Sequence, residues 1–423
     1  MAYDDSMNRR EMLKNSAYVA ALFGLPASTT AAAPPSLPPD SLFDRDPKAY
    51  WTRLREEQFL LPGWRAFLQN GSLGIAPKPV VAAVADYLNR SAALDLEEYP
   101  RWGYETLDDH RTAMAAYLGC KKDELAFQHN ATEALSTIAA GIDLSAGDEV
   151  IMTDMEHPSG TSGWQMRQAR HGIQVRQVKL PMPPKTPDEL ADRMISAIGP
   201  RTKVIFFSGI ISGTGWIMPV RQICDAARAK GVISVVDGAH MNGQIPLRLS
   251  ELGCDYYAGS PHKWMFAPAG SGILYIREEN LDKLWPLAVT GGWDQKQLKA
   301  ARFQMFGTNN RAIVEGTMAA LRFSQQLGTD RIYTRIHQLA KMTYQRAAER
   351  RTIELLSPED DKMYGSIVTI RLKSKEHAAA LGEACKKKRI WALQGPQIRL
   401  SLHVHTRPSD IDLFFKTLDE TAV

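Results

Sequence analysis

Lys263 stands in "DYYAGSPHKWMFAPAGSGILYI", residues 255–276, between an apolar run and a glycine-rich turn. A free lysine has a pKa of about 10.4, is protonated near neutrality and is no nucleophile. Desolvation and neighbouring cations lower that pKa and open the way to an imine with an aldehyde. Asp237 closes another apolar run in "VVDGAHMNG". A carboxylate placed there is partly buried and calls for a partner such as a protonated ring nitrogen. His157, in "TDMEHPSG", offers a ring that could cover a flat ligand. Asn130, Ala131 and Thr132, in "HNATEALS", open a helical pattern whose free N–H groups and hydroxyl suit a phosphate.

Each residue also has an ordinary structural use. Asn and Thr cap helices, an Asp before Gly makes turns, and a lysine can snorkel along a surface. A single histidine is commonly a cap or a surface residue. The combination is more specific: a phosphate site, a ring to stack, a carboxylate and an imine-forming lysine. Pyridoxal phosphate needs that set, because it presents an aldehyde to capture, a pyridine nitrogen to protonate, a phosphate to anchor and a face to cover.

The elements that must bring these groups together are legible as alternating strand and helix patterns. Strand candidates are "ELAFQHN" (124–130), "EVIMTDM" (149–155), "IQVRQVKL" (173–180), "KVIFFSG" (203–209), "VISVVDGA" (232–239), "DYYAGS" (255–260) and "GILYIR" (272–277). Between them lie "ATEALSTIAAGI", "TSGWQMRQARHG", "PDELADRMISAI" and "VRQICDAARAKG", the last two with apolar residues at three- and four-residue spacing. This alternation predicts an α/β domain with a largely parallel sheet of seven strands, and ligands bind beyond the carboxyl ends of such strands. After "FGTNNRA" the pattern changes to two long helices over about 311–350. A strand "GSIVTIRLK", a helix "EHAAALGEACKKK", a strand "QIRLSLHVH" and a helix "DIDLFFKTLDE" follow. The domains expected are a large one over 70–305 and a smaller α+β one over 306–423, with 34–69 as linker and N-terminal segment.

The 423 residues are 44% hydrophobic and 23% charged with a net charge of +4, which fits a soluble globular chain and gives no basic surface for nucleic acid. "KKKR" at 386–389 reads as a solvated helix end. The segment 1–33 has paired Arg9 and Arg10, an apolar run from Ala17 to Ala27 and small residues to Ala33. That layout predicts a twin-arginine export signal, hence a periplasmic protein that meets the Tat machinery already folded. The run is shorter than the roughly 20 residues a bilayer span requires, so no stable membrane anchor is expected. The four cysteines show no paired spacing. His403 and His405 would share a strand face, but with no third ligand nearby no metal is expected. A nucleotide-binding enzyme using the Asn130–Thr132 helix start lacks a GxGxxG or GxxxxGK[ST] signature after the first strand.

From "NGSLGIAPKPV" (70–80) to "IRLSLHVHTRPSDID" (398–412), the chain resembles the class V aminotransferases, fold-type-I enzymes that include cysteine desulfurases and isopenicillin N epimerase-like proteins. "VVDGAH", "SPHKW" and "EHPSG" carry the likeness. It implies that Lys263 forms the imine with the cofactor, Asp237 pairs with the pyridine nitrogen, His157 stacks on the ring and His240 lies near the ring hydroxyl. Ala131, Thr132, Ser260 and His262 would cradle the phosphate, and Thr308 would reach a neighbouring subunit's phosphate in a homodimer. Arg399, with Asn70, would hold a substrate carboxylate, for which a bidentate guanidinium is suited. Ser212 stands where many relatives have asparagine near the ring hydroxyl. "RIWALQGPQIRLS" lacks the loop cysteine of desulfurases, which points away from cysteine desulfuration. The implied activity is on the amino group of an amino acid or a metabolite containing one, by transamination or epimerisation through an α-carbanion. A lyase or a non-catalytic binding protein of the same fold are the alternatives.

Overall fold

All seven strand patterns between residues 124 and 277 are strands of one sheet. In this computed structural model, which describes residues 36–95 and 104–422, they are β2 (Leu125–Gln128), β3 (Glu149–Thr153), β4 (Gln174–Val178), β5 (Thr202–Ser208), β6 (Ile233–Gly238), β7 (Tyr256–Gly259) and β8 (Gly272–Ile276). Their order is β2-β8-β7-β6-β5-β3-β4. Only β8 runs against its neighbours, pairing antiparallel with β2 and β7, and the other pairs are parallel. The segment 1–33, with Arg9 and Arg10, lies outside the described residues.

The strands read as nearly unbroken apolar runs because both faces of the sheet are covered. Side chains alternate between faces, so Val204 and Phe206 enter one core while Ile205 and Phe207 enter the other. The first core is completed by Leu135 and Ile138 of the helix Ala131–Gly141 and by Trp164 of Pro158–His171. The second takes Leu190 and Met194 of Pro187–Ser196 and Ile223 and Ala227 of Val220–Ala229. Each such side chain, fully buried, contributes about 1.5–3 kcal/mol, so the sheet is a stiff base for whatever its ends carry. The edge strand β4 instead exposes Gln174 and Gln177.

A second, antiparallel sheet has the order β12-β10-β9, from Gln397–Ser401, Ile367–Leu372 and Ile353–Leu355. β1 (Ala66–Phe67) pairs in parallel with β11 (Ile390–Trp391). The two long C-terminal helices are Arg311–Leu327 and Thr329–Ala348. The strand expected to run through "HVH" stops at Ser401, so His403 and His405 do not share a strand face. The chain turns there because Thr406 closes back on His403: its N–H donates to the His403 carbonyl at 2.8 Å, and its hydroxyl accepts from the His403 N–H at 3.1 Å. Leu37–Val423 forms one compact unit, and among the described residues no helix is long and apolar enough to cross a membrane.

Candidate active site

The carboxyl ends of β2, β3, β5, β6 and β7 converge on a cleft of about 260 Å³. Asp237 reaches it from the carboxyl end of β6. Its Oδ1 accepts from the Ala239 N–H at 2.9 Å, and Oδ2 has no hydrogen-bond partner among the described residues. Burial raises its pKa, while the nearby Lys263 and His157 pull it down. Gly238 follows because no other residue fits: a Cβ there would lie 1.9 Å from the Tyr257 ring.

Lys263 sits on the short turn of helix Pro261–Trp264 after β7 and is half-buried. Burial, ahead of the Arg399 charge, lowers its pKa to about 8. Its Nζ lies 3.2 Å from His240 Nε2. The backbone under it is clamped by the "NGSLG" segment: Asn70 Nδ2 donates to the Lys263 carbonyl at 2.8 Å, and the Gly74 N–H donates to the His262 carbonyl at 2.9 Å. A Cβ at Gly74 would lie 2.1 Å from that Lys263 carbonyl. Asn70 is buried behind the cleft wall with its side chain spent on Lys263 and His405, so the neighbouring Ser72, not Asn70, faces the expected substrate end.

The helix Ala131–Gly141 aims its N-terminus into the cleft. Asn130 Oδ1 caps the Glu133 N–H at 2.9 Å, and Ser260 Oγ accepts weakly from the Ala131 N–H at 3.4 Å. The Thr132 N–H and hydroxyl have no protein partner among the described residues. Free amide, hydroxyls and helix dipole together fit a phosphate. His262 closes this end, its Nδ1–H donating to the Ser271 carbonyl at 2.8 Å.

His157 caps the helix Pro158–His171, its Nδ1 accepting from the Ser159 N–H at 3.2 Å, and lies exposed on the rim. Partial desolvation and then the Lys263 charge lower its pKa, so the ring is neutral and free to lie on a flat ligand. Next to it Glu156 accepts from the Thr153 hydroxyl at 2.7 Å and the Ser208 hydroxyl at 2.6 Å. Burial pushes its carboxyl up to about 7. Nothing in "EHPSG" as sequence singles this glutamate out.

Arg399 of β12 enters from the opposite wall. Nη1 donates to the Ser212 carbonyl at 2.9 Å and hydroxyl at 3.1 Å, and Nη2 to Ser72 Oγ at 2.8 Å. Ser212 is therefore held by Arg399. The guanidinium is buried, and among the described residues it has no carboxylate partner and its Nε has no hydrogen-bond partner. Burial lowers its pKa to about 10, which still leaves it charged at neutral pH. A buried unpaired charge is costly, and an incoming carboxylate removes that cost.

Lys263, Asp237, His157, His240, Ala131, Thr132, Ser212, Ser260, His262 and Arg399 thus share one cleft. Asn70 stands behind it, and Thr308 is exposed outside it on the loop before Arg311–Leu327. Thr132 and the unpaired atoms of Asp237 and Arg399 fit pyridoxal phosphate and a carboxylated amine. His403 and His405 are buried in separate hydrogen bonds, Nε2 of each at 3.1 Å from the Trp264 carbonyl and 3.3 Å from Asn70 Oδ1.

Comparison with known proteins agrees with this geometry. The family model for aminotransferase class-V matches residues 66–414. Isopenicillin N epimerase of Amycolatopsis lactamdurans is 33% identical over 88% of this chain and 98% of its own. The apo structure of a cysteine desulfurase from Thermococcus onnurineus NA1 superposes with a TM-score of 0.75 at 22% identity, over 87% of this chain and 96% of that one. A lysine-to-alanine mutant of C-DES, with glycine covalently linked to its PLP cofactor, gives a TM-score of 0.75 at 24% identity over 84% and 96%. With a family model that spans most of the chain, and with the mostly parallel seven-stranded sheet of fold type I, this protein belongs to the aminotransferase class-V family.

Proposed function

We propose that the protein is a pyridoxal-phosphate enzyme that acts on the amino group of an amino acid, or of a metabolite containing one, by epimerisation or transamination. The observation that carries this reading is the cleft in which Lys263 and Asp237 face one buried, unpaired Arg399. Thr132, Ser260 and His262 would hold the phosphate, Asp237 the ring nitrogen and Lys263 the aldehyde carbon. When bound, the cofactor withdraws electrons from the α-carbon of the amine it carries. Arg399 orients the substrate by its carboxylate. Lys263 Nζ, whose pKa burial lowers to about 8, would accept the α-proton. Its return by Lys263 to the former aldehyde carbon would give transamination, whereas inversion requires a proton delivered by a second group to the opposite face of the α-carbon, and likeness to an epimerase favours inversion.

Cysteine desulfuration is the weaker reading, because none of the described cysteines lines the cleft. Cys385, the cysteine nearest in sequence to Arg399, is buried, and burial raises its thiol to about 11. A thiol in that state is not a ready nucleophile.

Incubating the holoenzyme with amino acids and short carboxylated peptides in deuterium oxide separates the outcomes. Epimerisation yields the deuterated substrate with inverted α-configuration by chiral chromatography, and transamination yields the oxo acid. Sulfide from cysteine as the sole product would sink the proposal. We place the enzyme in the periplasm as a homodimer, with the exposed Thr308 serving the neighbouring subunit's site. Changing Arg9 and Arg10 together to lysine is expected to retain the protein, uncleaved, in the cytoplasmic fraction. Unchanged export would remove the twin-arginine assignment.

A further inference from the structure

Behind Lys263 runs a line of buried groups that the chemistry above leaves unexplained. His403 donates through Nε2 to the Trp264 carbonyl at 3.1 Å, and its ring stacks on the Trp264 indole with centroids 5.8 Å apart. Trp264, fully buried, points its Nε1 at His240 Nδ1 at 3.2 Å. His240 Nε2 in turn lies 3.2 Å from Lys263 Nζ.

The donor types fix the protons along this line. An indole N–H only donates, so His240 Nδ1 must be the accepting nitrogen. His240 is buried among Lys263, Arg399, His157 and His262, and burial followed by these neighbours holds it far below the usual imidazole pKa. It is therefore neutral, and its one proton is on Nε2. That N–H faces Nζ. An ammonium there would set donor against donor, whereas a neutral amine offers a lone pair.

We propose that Trp264 is a positioning residue: by donating to His240 Nδ1 it fixes the imidazole proton on Nε2, from where it holds Lys263 as the free amine. The amine is the form that attacks an aldehyde and the form that takes a proton. Of the charged groups facing Lys263, Arg399 acts in the same direction and Asp237 opposes it. Without Trp264, His240 can carry its proton on Nδ1, turn a lone pair toward Nζ and favour the ammonium. The residue after the lysine in "SPHKW" is then part of how the lysine is tuned, and "HVH" is the support that holds the indole in place.

The proposal rests on Lys263 being the residue that captures the cofactor, and the experiment separates the two. The full-length apoprotein is mixed with pyridoxal 5'-phosphate over a range of pH, and uptake is followed by the cofactor's absorbance. Trp264→Phe keeps an aromatic side chain there and deletes the N–H. Its uptake midpoint is expected to move up by about one pH unit, which is about tenfold slower uptake near neutrality. In a His240→Gln background the same change is expected to have no further effect. An unchanged midpoint in a folded Trp264→Phe protein would overturn the proposal while leaving the cofactor assignment in place. Absence of uptake by the unmutated protein would overturn both. Magnetic resonance of isotopically labelled histidine nitrogens in the unmutated protein reads the His240 tautomer directly, so a misfolded variant does not block the test. A proton on Nδ1 would refute the proposal.

Discussion

Lys263→Ala is expected to lower turnover by at least about 10²-fold, since proton transfer by a positioned group alone is worth about 10²–10⁴-fold. The variant should still take up pyridoxal phosphate, because Thr132, Ser260, His262 and Asp237 remain. What it loses is the covalent link, read as a shift of the absorbance band to that of the free aldehyde. The change is not expected to unfold the chain. Lys263 is only half-buried, and its backbone stays tied to Asn70. Turnover within tenfold of the unmutated enzyme, with the band unshifted, would remove Lys263 from the chemistry and take the proposed function with it.

The sheet was readable because both of its faces are covered. β5 carries the apolar run Val204–Phe207 and β6 the pair Val235 and Val236, and Asp237 and Gly238 mark the end of β6. The residues at the strand ends were readable for the same reason, since a Lys or Asp that interrupts such a run has to be explained. Two things escaped. "QIRLSLHVH" keeps strand-like alternation past Ser401, and only the bond between Thr406 and His403 shows that the ladder has ended. Ser72, Glu156 and Trp264 escaped because their parts come from contacts over long sequence separations. Ser72 meets Arg399 and Glu156 meets Ser208 only once the chain is folded. Asn70 shows the converse: the resemblance puts it with Arg399 at the substrate carboxylate, but its amide is spent on the Lys263 backbone and His405, leaving Ser72 to face the cleft.

Asp237→Asn is expected to retain the fold and the cofactor but to slow turnover by about 10²–10⁴-fold. Removing one partner of a buried charge pair typically costs about 3–5 kcal/mol, and each 1.36 kcal/mol in the barrier is about a factor of ten. The asparagine keeps the side-chain shape and still accepts from the Ala239 N–H, so the loop after β6 stays in place. It carries no charge, so nothing favours a proton on the ring nitrogen above it, and the ring becomes a poorer electron sink. Beside it, burial and then the Asp237 charge push the Glu156 carboxyl up to about 7. The steady-state rate with the best amine substrate, measured beside cofactor uptake, decides the matter. A loss of less than about threefold would mean that ring protonation does not limit the reaction, and Asp237 would then be a structural cap of the β6 turn.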